Sequence, residues 1–211
     1  MFARSNPQIH TILPHDKLLG QTQTKQFQEL RIFRFFEIGN TALLATRKLG
    51  LLCSRKCPGK LILRTYDMMS TLQRKDLSVI SGFHSPIEKE CLKILLRGHN
   101  SIIVCPARSL DGMRIPSAWK APIERGDMLL LSAFSNNNRR PTKQSTARRN
   151  SIVAALADKV FIPYAAQDSK TLEFARKLVD RGKTVLSLPS PENSPLFHLG
   201  AILINNVDDL I

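Results

Sequence analysis

Residues 77–97 read LSVISGFHSPIEKECLKILLR, and this stretch decides the fold. Its first five residues, LSVIS, form an apolar run without strict alternation, which suits a strand buried on both faces. Gly82 permits a tight turn, and Pro86 suits the first turn of a helix. Ile87, Cys91, Ile94 and Leu95 then recur at i, i+4, i+7 and i+8, so they share one helical face. A doubly buried strand leading at once into an amphipathic helix is half of a right-handed βαβ crossover.

The pattern repeats outward. Comparable runs occupy residues 49–53 (LGLLC), 101–105 (SIIVC), 128–132 (MLLLS), 159–162 (KVFI), 184–188 (TVLSL) and 201–205 (AILIN). Leu172, Ala175, Leu178 and Val179 make a second helical stripe. Strand and helix in alternation predict an α/β protein with a Rossmann-like, doubly wound, mostly parallel sheet and helices on both faces. The first 45 residues stand outside this alternation. Residues 26–44 (QFQELRIFRFFEIGNTALL) read as a helix or helix pair, whose Phe33, Phe35 and Phe36 need cover. The expected organisation is therefore an N-terminal extension, residues 1–45, packed on a Rossmann domain of residues 46–211. Residues 132–150 (SAFSNNNRRPTKQSTARRN) read as an exposed loop.

The chain has 211 residues, 43% hydrophobic and 23% charged, which suits one folded α/β domain and excludes wholesale disorder. No apolar run reaches the roughly 18 residues a membrane helix needs. The opening MFARSNPQIHTILPHD lacks a secretory apolar core, so a cytoplasmic protein without membrane association is expected. Cys53, Cys91 and Cys105 sit in or beside apolar runs, and Cys57 has no second pair at ligand spacing. The five histidines are scattered. The reading is of reduced thiols, no metal and no cofactor. Neither G-x-G-x-x-G nor a Walker A sequence occurs, which argues against ordinary dinucleotide or nucleoside triphosphate binding.

The formal net charge is +14, and it is concentrated: residues 47–150 alone carry 20 basic and 7 acidic side chains, or +13. That segment includes Arg47-Lys48, Arg55-Lys56, Arg74-Lys75, Arg139-Arg140 and Arg148-Arg149. A phosphate backbone fits such a concentration, because each neutralised phosphate releases a condensed counterion.

Open parallel sheets bind ligands beyond the carboxyl ends of their strands. The residues expected there are Ser54 and Arg55 after the first run, then Ser81, Gly82, Phe83 and His84 after the second. Arg108 follows the third, and Arg149 with Asn150 opens the helix before the fifth. Ser169, Lys170 and Thr171 stand at the helix start after the fifth. Arginines, hydroxyls and helix N-termini on one edge suit phosphate. Phe83 is the best-placed aromatic for stacking a base.

At these residues the sequence resembles the DNA-processing protein A (DprA/Smf) family. Cys53-Ser54-Arg55 stands where that family has G-S-R, and Val79-Ile80-Ser81-Gly82 where it has V-V-S-G. Ile115-Pro116 matches Y-P, Arg149-Asn150 matches R-N, and Ser169-Lys170-Thr171 followed by Ala175-Arg176 matches the S-G-S segment. Val185 to Pro189 matches V-F-A-V-P, and Asn193, Leu196 and Gly200-Ala201 the N-x-x-L…G-A ending. The likeness spans residues 49–203. His84-Ser85-Pro86-Ile87-Glu88 departs from A-x-G-I-D, and Lys170 replaces a glycine. A divergent, core-only member is expected. The resemblance implies non-catalytic binding of single-stranded DNA, help to a RecA-type recombinase in recombination or DNA uptake, and a homodimer formed through the core. It also implies that Ser54, Arg55, Ser81, Gly82, Arg149, Asn150, Ser169 and Thr171 surround a phosphate pocket.

Two other readings stay open. One is a sensor of the same superfamily that binds a nucleotide or signalling ligand. The other is an enzyme similar to the lysine-decarboxylase-like (LOG) proteins, which hydrolyse nucleoside monophosphates with a P-G-G-x-G-T-x-x-E motif. This chain has Pro163-Tyr164-Ala165-Ala166-Gln167-Asp168-Ser169-Lys170-Thr171-Leu172-Glu173 there. Without the glycines the backbone is barred from close approach to a phosphate.

Overall fold

The computed structural model describes residues 8–13, 21–72 and 77–210. The expected strand runs all become strands of one sheet. In chain order the sheet uses β1 (His10–Ile12), β2 (Phe35–Gly39), β3 (Arg47–Leu51), β4 (Leu77–Ser81) and β5 (Ser101–Val104). It continues with β6 (Met128–Ser132), β7 (Lys159–Phe161), β8 (Thr184–Ser187) and β9 (Ile202–Leu203). Across the sheet the order is β1-β2-β6-β5-β4-β3-β7-β8-β9. All pairs from β6 to β9 are parallel, while β2 runs antiparallel to β6 and β1 antiparallel to β2. The chain winds outward from β3 to β6, then returns past β3 to lay down β7 and β8. This is the doubly wound fold.

Helices α1 (Gln21–Glu29), α5 (Lys143–Leu156) and α6 (Lys170–Asp180) supply Phe27, Ile152, Val153, Leu156, Ala175 and Leu178 to the core on one face. Helices α2 (Gly59–Thr71) and α3 (Pro86–Arg97) supply Leu61, Met69, Ile87, Cys91 and Leu95 to the other. Here α4 (Ser117–Arg125) adds Trp119 and Ile123 at the margin, and a short α7 (Ser194–His198) follows β8. Successive strand residues feed opposite cores: Ile80, Ile103 and Leu129 face α5, whereas Val79, Ile102 and Leu130 face α3. Two buried faces explain why these runs show no polar alternation.

Two expectations need correction. Residues 26–44 are not a helix pair. Helix α1 stops at Glu29, Arg31 takes a left-handed φ of 51°, and Phe35–Gly39 joins the sheet as β2. The aromatic run favours strand, and Phe35 packs edge-to-face on Phe27 with ring centroids 5.0 Å apart. Phe36 is half-buried, but Phe33 remains 74% exposed. Second, the loop expected over residues 132–150 ends early. Thr142 and Ser145 cap each other reciprocally and start α5 at Lys143, so a polar sequence becomes helix.

Three of the four cysteines are buried and Cys57 is half-buried; all four are free thiols. Burial pushes the Cys91 and Cys105 thiols up to about 12, which leaves them protonated at neutral pH. Among the described residues no helix is long and apolar enough to cross a membrane.

Glu37 on β2 is 4% exposed, and its Oε2 has no hydrogen-bond partner. Burial raises its carboxyl above the ordinary value, against the pull of His10. A raised folded-state pKa stabilises the fold only below the unfolded value, and that contribution is lost as pH rises through the folded value. Glu37→Gln is therefore expected to raise Tm at pH 7 by roughly 2–4 °C, the shift about 1 kcal/mol makes in a domain of this size. Melting curves at pH 4 and pH 7 check it: the gain should vanish at pH 4.

Candidate nucleic-acid interface

Strand order reverses between β3 and β7, because β4 lies on one side of β3 and β7 on the other. A crevice at the carboxyl ends follows from that topology. Ser54 sits on it, 6% exposed. Its N–H donates to Tyr164 O at 3.1 Å, and its Oγ accepts from the Ala166 N–H at 3.2 Å. The same Oγ donates to Ser169 Oγ at 3.4 Å, and Ser169 caps α6 by accepting from the Leu172 N–H at 3.2 Å. Two hydroxyls and a helix start thus converge across the switch point. Thr171 is half-buried in the first turn, and Lys170 beside it is exposed.

The neighbouring turn is built around a buried carboxylate. Glu88 Oε1 accepts from the Cys53 N–H at 3.0 Å, and its Oε2 accepts from the N–H groups of His84 at 2.8 Å and Ser85 at 3.3 Å. Ser85 and Glu88 form a complete capping box on α3. Phe83 is held at a φ of 46°, with its N–H donating to Ser81 Oγ at 3.0 Å.

Arg149 is 4% exposed. Its Nη1 donates to Cys105 O at 3.2 Å and its Nε to Asn150 Oδ1 at 2.8 Å. The guanidinium occupies the space where any side chain on Gly82 would go, overlapping the position of a Cβ. Burial lowers its pKa, and the charge of Glu88 opposes that shift. His84 is exposed, yet desolvation and then the charges of Arg149, Lys89 and Arg55 lower its imidazole below the ordinary value. The imidazole is therefore neutral at pH 7.

Cations ring this edge. Arg55 and Lys56 are exposed after β3, and Lys60 opens α2. Arg108 is half-buried after β5, where its carbonyl accepts from Ser132 Oγ at 2.7 Å. Arg139 and Arg140 are exposed between β6 and α5, in a loop tied back by the Ser109 N–H donating to Asn138 O at 2.8 Å, and Lys143 is exposed at the first position of α5. Not all the charge of residues 47–150 is presented. Lys48 is buried at the opposite edge, donating to Leu44 O and Thr46 O. Arg74-Lys75 lie outside the described residues.

The expected site residues therefore divide. Ser54, Arg55, His84, Arg108, Ser169, Lys170 and Thr171 lie along the carboxyl edge. Ser81 is fully buried and serves the turn, while Gly82, Arg149 and Asn150 form its support. Phe83 is corrected from a stacking platform to a core residue, 5% exposed in the cluster that holds Leu61 and Ile87. Arg149 does not open its helix either, for α5 begins at Lys143. Glu88 stands in the sequence only at the place of the family's Asp of G-I-D, with no role read for it, although S-x-x-E at residues 85–88 is a capping-box signature.

A Rossmann-like α/β protein with exposed cations along the carboxyl edge of its sheet is the class that these observations define. Within that class, the profile of the DNA recombination-mediator protein A family matches residues 18–211, and the chain belongs to this family. Its fold is similar to that of DNA processing protein A from Streptococcus pneumoniae, with a TM-score of 0.78 and 21% identity over 96% of this chain and 73% of that one. DNA processing protein A from Helicobacter pylori, studied for its single-stranded DNA binding mode, gives a TM-score of 0.71 and 23% identity over 96% and 93%. The molybdenum cofactor carrier protein of Chlamydomonas reinhardtii is more distant, with a TM-score of 0.53 and 13% identity over 77% and 92%. No functionally curated protein matches the chain.

Seating Arg149 against Gly82 has a measurable consequence. Arg149→Ala is expected to cost roughly 3 kcal/mol, or about 6–12 °C in Tm, since it empties a buried site and orphans the Cys105 carbonyl. Gly82→Ala should also destabilise, and the double variant should be no worse than the sum of the two and closer to Arg149→Ala alone. Thermal melts check this; unchanged Tm in both single variants would contradict it.

Proposed function

We propose that this protein binds single-stranded DNA without catalysis, taking the phosphate backbone along the carboxyl edge of its sheet. The observation that carries the reading is the arc of exposed or half-exposed cations on that edge: Arg55, Lys56, Lys60, Arg108, Arg139, Arg140, Lys143 and Lys170. These side chains stand exposed or half-exposed on loops and in the first turns of helices, where backbone contacts can form. The hydroxyls of Ser169 and Thr171 at the switch point supply neutral donors for one phosphate, and Ser54 holds Ser169 in place. Membership of a DNA-processing family favours the same partner, as does the single-stranded DNA binding described for the similar Helicobacter pylori protein. A role in recombination beside a RecA-type recombinase, a homodimer and a cytoplasmic location belong to this proposal.

The loop after β7 speaks for binding over hydrolysis. Ala165 is fully buried, and Ala166 and Lys170 stand where a phosphate-cradling loop would carry glycines. Glu173 points from the first turn of α6 as an exposed residue, suited to the helix dipole.

Labelled single- and double-stranded oligonucleotides titrated across a salt series test the proposal. A steep slope of log K against log salt is expected, near −0.7 per phosphate contacted on single strands. Arg55→Ala combined with Lys56→Ala should weaken binding and reduce that slope by roughly 1.4. A slope near zero would overturn the reading; stabilisation by a free nucleotide instead would favour the sensor.

A second assay addresses chemistry. Incubation with each common nucleoside monophosphate should release no free base. Release that is lost on Glu173→Gln would overturn the non-catalytic reading in favour of a hydrolase.

A further inference from the structure

We propose that Phe33 is an aromatic platform on which an unstacked base of single-stranded nucleic acid rests, an inference that builds on the DNA-binding reading. Phe33 is 74% exposed. Among the described residues it is the only exposed aromatic: Phe27, Phe35, Phe83, Phe134 and Phe161 are buried, and the remaining described Phe, Tyr and Trp side chains are at least half-covered. A ring that stays in water adds no burial to folding, so core packing does not account for its place.

The register fixes where it lies. Phe36 pairs with Ser132, the last residue of β6, and the two strands are antiparallel. The chain entering β2 therefore runs past the carboxyl end of β6, which puts Phe33 and Arg34 on the same edge as the cationic loops. A second contact holds this turn there. Arg148 Nη2 donates to Arg31 O at 2.9 Å and to Leu30 O at 3.4 Å, fastening it to the N-terminal half of α5. That half follows directly on Arg139, Arg140 and Lys143. Arg31, Arg34 and Arg148 are themselves exposed, so the ring stands among cations.

This composition selects the partner. A protein interface would use a broader apolar patch than this spot offers. Its other large apolar contributor is Leu13, 38% exposed and one residue past the Ile12–Phe35 pair. An isolated ring inside a cationic rim instead matches single-stranded nucleic acid, whose bases stack on aromatics while phosphates meet the arginines. It also supplies what Phe83, buried in the core, does not. The platform is sequence-tolerant, since every base has a π-face.

The test uses full-length protein and two labelled oligothymidylates, one intact and one carrying abasic residues. Phe33→Ala should weaken binding of the intact strand roughly tenfold, with an unchanged salt slope, because no phosphate contact is lost. Phe33→Trp should restore affinity and Phe33→Leu should not. Abasic sites should weaken the wild-type protein towards the Phe33→Ala value and leave that variant indifferent. Arg34→Ala, in contrast, should lower the slope. If Phe33→Ala binds as wild type does, or loses equally on both strands, the platform is refuted while the basic-edge reading stands. If the wild-type protein binds no single strand at all, both fall together.

Discussion

A buried cation over a residue without a side chain sets the architecture of this edge. Arg149 reaches from α5 across the carboxyl end of β4, fills the space above Gly82 and hydrogen-bonds the Cys105 carbonyl at the end of β5. Glu88 answers from the other face, gathering the amides of Cys53, His84 and Ser85. Together they bind the ends of three adjacent strands to α3 and α5, helices on opposite sides of the sheet. Taking a guanidinium and a carboxylate out of water is costly unless their hydrogen bonds are met, and here three amides and a carbonyl meet them. Because these two charges hold the loops from behind, the exposed arginines and lysines on the same loops are free to meet solvent or a polyanion.

The two edges of the sheet differ in how many of their cations are tied into the fold. At the amino edge two lysines are held by the fold, although Arg47, Arg97 and Arg181 are exposed there: Lys48 donates to Leu44 O and Thr46 O, Lys183 donates to Ala157 O, and Asp158 accepts from the Lys48 N–H. Burial lowers the pKa of both lysines while Asp158 raises it. At the carboxyl edge the described ion pairing is slight; Arg139 stands 3.9 Å from Asp111, with both side chains well exposed. An edge whose positive charge has so few internal carboxylates is one that a phosphate chain can neutralise.

Most of the fold was legible in the sequence because doubly buried strands announce themselves: 77–81, 101–105 and 128–132 are apolar apart from the buried Ser78, Ser81, Ser101 and Ser132. Segments whose local signals were balanced by tertiary contacts were not legible. The aromatics of the FRFFEIG run favour strand only weakly against the helical reading of residues 26–44; its pairing with β6 and the Phe27–Phe35 contact decide it. Similarly, the polar start of α5 is helical through a Thr142–Ser145 cap. In the site, exposure was the hidden variable. Arg55, Lys170 and Ser169 were placed by strand order alone, whereas Phe83 and Arg149 turned inward, Phe83 through a left-handed backbone and Arg149 through the gap at Gly82. A sequence gives residue types near a strand end, but not which of them face the core.

The central claim is that one edge of the sheet, and not the other, is the nucleic-acid surface. Hydrogen–deuterium exchange with and without a saturating oligothymidylate tests it most directly. The account predicts slowed exchange in the loops that follow β3, β4, β5, β6 and β7, together with the turn between α1 and β2. It predicts no change in the turns that precede β3, β5, β7 and β8 at the amino edge. Protection centred on those amino-edge turns, or confined to the exposed Ile202 and Leu203 of β9, would contradict it.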